Sequence, residues 1–220
     1  MASANSLDWI REHLRHVGDE VLEVGSRRYK DHAFLDLKGF FAAHKPAVRL
    51  TGCDLQPGDN VDVVVDLTKP PRQVARALGR RRFDTVLCVS VLEHIPDVFA
   101  AAASIESLLR PGGALFVCVP FVFRYHGYPG DFWRFTPEAV VHLFPGVDFR
   151  GLSHSCVASL EAGDWMSLRG LNVQKLNRFL FRPRDREEKQ ARKQAKVAGE
   201  PVAAYSLAPA MVNLLGWRKT

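Results

Sequence analysis

Two kinds of apolar pattern alternate along the chain: short runs that are apolar at nearly every position, and longer stretches in which apolar residues recur every three or four. Val21 to Val24, Val48 to Cys53, Val61 to Val65, Thr85 to Val89 and Ala114 to Val119 are runs of the first kind. They predict strands covered on both faces, since a strand with one wet face would alternate. Phe34 to Ala43, Gln73 to Leu78, and the stretch after Asp97 in which Val98, Ala102, Ile105 and Leu109 share a face predict the covering helices. Asn5 and Asp8 offer caps to an N-terminal helix striped by Leu7, Ile10, Leu14 and Val17, while Pro111, Gly112 and Gly113 stop the helix begun at Asp97. Thr136, Pro137 and Glu138 start another helix, expected to reach Phe144. Phe149 to Val157 and Met211 to Trp217 supply the last two of seven strands.

This order predicts an α/β fold: a doubly wound, seven-stranded, mostly parallel sheet of Rossmann-like type, in one domain over residues 1–220. A helical, basic insertion over residues 160–210 separates strands six and seven. In such sheets ligands sit beyond the carboxyl ends of the strands, so the chemistry is sought there.

Charge adds one detail. The chain carries a formal +6, yet Arg178 to Lys196 alone holds eight basic and three acidic residues, so the remainder is close to neutral. Leu171 to Phe181 reads as a helix with Val173, Leu176 and Leu180 on one stripe, and Glu188 and Arg192 form a favourable pair four residues apart. A solvated helical face, contact with an anionic membrane surface, and contact with RNA are the three readings of this segment. Cys53, Cys88, Cys118 and Cys156 are scattered through apolar runs and lack any C-x-x-C pairing, which predicts reduced, buried thiols and a cytoplasmic protein with no metal. Met1 to Arg15 resembles neither a signal nor a transit peptide, and no run is long and apolar enough to span a bilayer.

Candidate chemistry begins at Gly25, directly after the first strand, where a glycine lets the chain turn sharply and a ligand approach it. Asp54 closes the second strand and Asp66 the third. Ionised carboxylates only accept hydrogen bonds, so the first suits a pair of ribose hydroxyls and the second an adenine amino group. With Glu23 they create negative potential, which favours a sulfonium over a pyrophosphate. Gly25-Ser26-Arg27-Arg28-Tyr29 also lacks the G-x-G-x-x-G spacing of a dinucleotide site.

Val21-Leu-Glu-Val-Gly-Ser26, Thr51-Gly-Cys-Asp54, Asn60 to Leu67, Phe83 to Asp97 and Leu109-Arg-Pro-Gly-Gly-Ala114, in that order, resemble the class I S-adenosylmethionine-dependent methyltransferases, specifically the type 11, ubiquinone/menaquinone-like domain. The resemblance covers about residues 20–145. It implies S-adenosyl-L-methionine as cofactor and S-adenosyl-L-homocysteine as product. Glu23, Gly25 and Ser26 would frame the methionine end, Asp54 and Leu55 the ribose, Asp66 and Leu67 the adenine, and Ser90 would lie beneath the sulfonium. His94 is either a cofactor contact or a polar residue at a helix start. Arg27 stands where the family usually has a second glycine, so Arg27 or Arg28 either meets the methionine carboxylate or is surface charge.

Beyond the fifth strand, Val119 to Thr136 is rich in aromatics and broken by glycine and proline. His126 is the candidate general base, with Asp131 orienting or replacing it, and Tyr128, Trp133 and Arg134 are candidate acceptor contacts. The other reading makes Asp131 and Arg134 caps of the loop and Trp133 packing. A similar segment recurs in members of this group that resemble sugar or natural-product tailoring enzymes. The expected activity is methyl transfer to a small-molecule or sugar hydroxyl. The alternatives are an RNA methyltransferase using residues 178–196 and a non-catalytic S-adenosylmethionine-binding protein.

Overall fold

A computed structural model describes residues 4–28, 36–127, 130–160, 164–180, 186–199 and 209–220. Among the described residues, nine strands form one sheet: β1 (Glu20–Val24), β2 (Arg49–Asp54), β3 (Val63–Val64), β4 (Phe83–Val89), β5 (Leu109–Val122), β6 (Val147–Asp148), β7 (Cys156–Ser159), β8 (Trp165–Ser167) and β9 (Ala210–Arg218). Their order is β3-β2-β1-β4-β5-β9-β7-β8, with β6 also paired to β9. The ladder from β3 to β5 is parallel and β9 enters antiparallel.

The helices are α1 (Ala4–Glu12), α2 (Leu37–His44), α3 (Pro71–Ala77), α4 (Val98–Leu108), α5 (Pro137–Leu143), α6 (Val173–Leu180) and α7 (Arg186–Ala198). Alternate residues of the central strands face opposite sides, as the period of two demands. Val21, Leu87 and Phe116 pack with Trp9, Ile10, Phe40 and Phe41 from α1 and α2, while Leu22, Val86 and Leu115 pack with Val74, Ile105 and Val140 from α3, α4 and α5. The doubly wound, mostly parallel sheet expected from the continuous apolar runs is therefore present. Asp97 caps α4 by accepting from Ala100 N, and Thr136 caps α5 by accepting from Ala139 N, both at the expected starts.

Several boundaries differ for identifiable reasons. Asp8 lies inside α1 and pairs with Arg11 rather than capping the helix. β3 keeps only two residues because Asp62 turns its carboxylate to Gly52 N at 2.7 Å. The run Phe149 to Val157, expected to be one strand, is split. Arg150, Gly151 and Leu152 all adopt positive φ in a 3-10 turn, and β6 and β7 lie either side of it along one edge of β9. Eight residues separate Asp148 from Cys156 while four separate their partners Trp217 and Asn213, so four residues loop out of register.

Within the insertion, α6 buries Leu176 and Leu180 but leaves Val173 exposed, and β8 adds an edge strand to β7. Phe181 and the side chains of Glu188 and Arg192 lie outside the described residues. The described side chains of α7 are almost all exposed. All four cysteines are free and buried, and no described helix is long and apolar enough to cross a membrane.

Candidate active site

Because β1, β2, β4 and β5 run parallel, Gly25, Asp54, Ser90 and the loop after Val122 emerge at one end of the sheet. Gly25 has φ +71°, and a Cβ there would stand 2.4 Å from Val91 Cγ2, so both backbone and neighbour require glycine. Gly25 N and Ser26 N both donate to Cys53 O, at 2.8 and 3.0 Å, which ties the turn after β1 to β2. Gly52 is the second obligatory glycine: its missing side chain makes room for Asn60 O and the Ser26 hydroxyl. Ser26 is thereby turned into the body of the protein and is 3% exposed.

Asp54 Oδ2 accepts from Arg27 N at 3.2 Å and Oδ1 from Gln56 N at 3.0 Å. A carboxylate has about four acceptor positions, so this one is oriented yet has capacity left for a ligand. The Arg27 guanidinium reaches Gln56 and that of Arg28 reaches Asp36. Tyr29 and the following residues to 35 lie outside the described residues. Leu55 is exposed beside Asp54, whereas Leu67 is buried in the core. Asp66 Oδ1 accepts from Thr68 N at 2.9 Å and Thr68 Oγ1 at 2.7 Å, with Lys69 at 3.4 Å, and these partners, the Thr68 hydroxyl first, hold its carboxyl below the usual range. Burial pushes the Glu23 carboxyl up to about 8, against the nearby cations Lys38 and Arg28 and with the anions Asp36 and Asp62. Ser90 sits at φ +53° with its hydroxyl buried and without a hydrogen-bond partner.

The other side is stitched across long sequence separations. Phe132 N donates to Glu93 O at 2.8 Å and Trp133 Nε1 to Ile95 O at 2.9 Å. His94 Nδ1 meets Gly130 O at 2.5 Å. Arg134 clamps Asp131 through two guanidinium nitrogens at 2.5 and 2.7 Å and donates to Phe123 O and Arg124 O. Asp131 Oδ2 accepts from His126 N at 2.8 Å and lies 3.1 Å from His126 Nδ1. Its carboxyl, with a side chain 1% exposed, is held far below the usual range, chiefly by Arg134. Tyr128 lies outside the described residues.

These links bring the His94 and His126 rings edge to face at 4.9 Å, and Phe123 abuts His126 at the same distance. Both imidazoles are pushed down by burial, which favours their neutral forms. Nδ1 of His126 faces only oxygens, those of Asp131 and Arg124, so it carries the proton and Nε2 presents a lone pair. That nitrogen is buried and without a partner. So are both carboxylate oxygens of Glu93, a residue 1% exposed whose carboxyl burial pushes up. Sequence reasoning passed over Glu93; its one available sign was an acid-histidine pair directly after the β4 turn.

The cradle fits a methionine-linked adenosine: glycine at the β1 turn, an oriented carboxylate at the β2 end, and an unpartnered hydroxyl at the β4 end. A family model described as "Methyltransferase domain" matches residues 7–156. Ubiquinone biosynthesis O-methyltransferase of Azotobacter vinelandii is 30% identical over 115 residues, covering 50% of this chain and 48% of that protein. An uncharacterised protein of Mycobacterium tuberculosis is 28% identical over 181 residues, covering 78% of this chain and 59% of its own. The chain thus spans between about half and three-fifths of the length of these relatives. The N-methyltransferase NodS of Bradyrhizobium japonicum, solved with S-adenosyl-L-homocysteine, shares the fold with a TM-score of 0.51 at 11% identity, over 98% of this chain and 86% of that one. With the family model matched over most of the chain, this protein belongs to the methyltransferase-domain family, of the class I S-adenosylmethionine-dependent kind.

Proposed function

We propose that the protein transfers the methyl group of S-adenosyl-L-methionine to a hydroxyl of a small-molecule or sugar acceptor, with His126 taking the hydroxyl proton. The observation that carries this reading is the His126 Nε2 lone pair, buried and without a partner, on a ring whose opposite nitrogen faces Arg124 O and the Asp131 carboxylate. Asp54 would hold the ribose, Glu23 and the Gly25 turn the methionine end, and Asp66 the adenine; the cofactor supplies an electrophilic methyl group when bound. Arg27, turned to Gln56, would close the ribose side, whereas Arg28 with Asp36 lies nearer Glu23. Trp133 and Phe123 would keep water from the transfer, and His94 would steady the loop against the 92–95 turn. Methyl transfer is a direct displacement, so alignment is the main task of the chain. A hydroxyl acceptor adds one need, a group that takes up its proton, which the unprotonated Nε2 of a neutral imidazole meets. The 30% identity to an enzyme named as an O-methyltransferase supports oxygen over nitrogen as the acceptor atom.

Calorimetry with S-adenosyl-L-homocysteine and with NAD tests the cofactor side. The homocysteine compound is expected to bind and Asp54→Ala to weaken it about tenfold or more, the loss of roughly 1.4 kcal/mol. Tight NAD binding or indifference to the substitution rejects the reading. On a panel of phenols and sugars, His126→Ala is expected to lower turnover about 10²- to 10⁴-fold with cofactor affinity nearly intact. Unchanged turnover rejects His126 as the base.

A further inference from the structure

We propose that Glu93, His94 and His126 form a binding site for a divalent first-row transition ion, zinc in preference to magnesium. One ligand atom from each of the three lies within 4.8 Å of those of the other two. Three features separate this from a chance cluster of polar groups. Glu93 is 1% exposed and neither carboxylate oxygen has a hydrogen-bond partner, so a carboxyl group has been buried with its hydrogen-bonding capacity unmet. An orphaned buried acceptor costs about 1–3 kcal/mol, and more if charged, a penalty that a bound cation removes. His126 Nε2 is a second orphan, pointing a lone pair into the same space.

The histidines are also set as metal-binding histidines are. Each has Nδ1 engaged by a backbone oxygen, Gly130 O for His94 and Arg124 O for His126, with the Asp131 carboxylate 3.1 Å from the latter, which leaves Nε2 as the ligand atom. An imidazole whose far nitrogen donates to a carboxylate or carbonyl is the usual outer support of a metal ligand. Arg134 in turn fixes Asp131. His94 Nε2 lies 3.9 Å from Glu93 Oε1, against about 3.3 Å between ligands around a tetrahedral zinc with bonds of about 2.0–2.1 Å. Movement of a few tenths of an ångström by each of these two side chains closes that gap, and the set of three contracts from a spread within 4.8 Å.

Two imidazoles and one carboxylate select zinc, cobalt or iron(II) over magnesium, which prefers an all-oxygen octahedron and keeps its waters. Three protein ligands leave at least one position open, the mark of a working rather than a structural site. The binding assignment stands on geometry alone; its use in catalysis rests on the methyl-transfer reading. There, the ion would receive the acceptor oxygen and lower its pKa. With the ion bound, His126 Nε2 is a ligand and the hydroxyl proton would leave to solvent as the oxygen–methyl bond forms and the carbon–sulfur bond breaks, releasing S-adenosyl-L-homocysteine. In the metal-free chain His126 remains the base proposed above.

The test is equilibrium dialysis of the metal-stripped protein against zinc, cobalt(II) and magnesium, with metal analysis and the cobalt absorption spectrum as readouts. One zinc or cobalt per chain is expected. Glu93→Gln, which keeps the side-chain shape, and His126→Ala should each weaken binding at least about tenfold. Zinc that binds the combined variant as tightly as the native chain, or that equimolar magnesium displaces, overturns the proposal. Failure to bind zinc also overturns it. Affinity for S-adenosyl-L-homocysteine, measured on the same samples, reports separately on the methyltransferase reading, so either can fail alone.

Discussion

The two rims of the site solve the same problem in opposite ways. On the cofactor rim, Asp54 and Asp66 each accept from a backbone N–H two residues further along, and Asp54 also accepts from Arg27 N. On the acceptor rim the bonds span 36 residues from His94 to Gly130, 38 from Trp133 to Ile95, and yet leave Glu93 and His126 Nε2 without partners. In the first rim the β1 and β2 turns are joined by Arg27 N on Asp54 and by Gly25 N and Ser26 N on Cys53 O, while Asp66 is held by its own turn. The second is one interlocked unit with polar capacity unspent, which is the condition of a surface that awaits a ligand.

The largest expected consequence falls on the interlocked side. Asp131→Ala strands the Arg134 fork and His126 N together and should lower stability by about 2–3 kcal/mol in chemical denaturation, while Asp54→Ala changes it far less. Equal losses in the two variants would remove the contrast. Next comes Gly25→Ala, expected to cost about 1–2 kcal/mol, from a positive φ and from contact with Val91. Val91→Ala in the same chain should return part of that loss, the steric part; full recovery would show that φ carries no strain.

A third effect, spread over a pH window and read as a slope, concerns the cofactor rim's exception, Glu23. Its carboxyl, raised to about 8 by burial, keeps its proton in the folded chain after the unfolded chain has lost it. Between about pH 4.5 and 8 the folded state therefore binds more protons, and stability falls as pH rises, by at most about 1.4 kcal/mol per pH unit. Thermal melts across that window should show a flatter slope in Glu23→Gln. An unaltered slope assigns the proton elsewhere and makes the cofactor rim uniform.

The parts of this molecule that could be read in its sequence are those set by burial and local geometry. β1, β2, β4 and β5 were legible because a strand covered on both faces is apolar throughout, and α4 and α5 because Asp97 and Thr136 are local caps. Arg150 to Leu152 was not, because only one of the three residues is a glycine although all three take positive φ. Of the proposed site, Asp54 could be placed at the end of a strand and Asp66 in the turn after one from apolar runs alone, and their proposed roles come from the resemblance. Glu93 was hidden for a physical reason: its chemistry depends on His126, 33 residues away, and on a loop whose fold is set by Arg134.

The reversed strand β9 has one further effect. Ala210 pairs with both Ser159 and Val122, so the excursion over residues 160–209 departs and returns at neighbouring strands, on the rim where the β5 loop begins. Its two anchors stand one strand spacing, about 4.8 Å, from each other. Doubling the length of such an excursion adds only about 0.6 kcal/mol of closure entropy. Length added to this excursion beside the proposed acceptor rim would therefore cost little, provided that β8 keeps its place on β7 and Leu168, Leu176 and Leu180 keep theirs in the core.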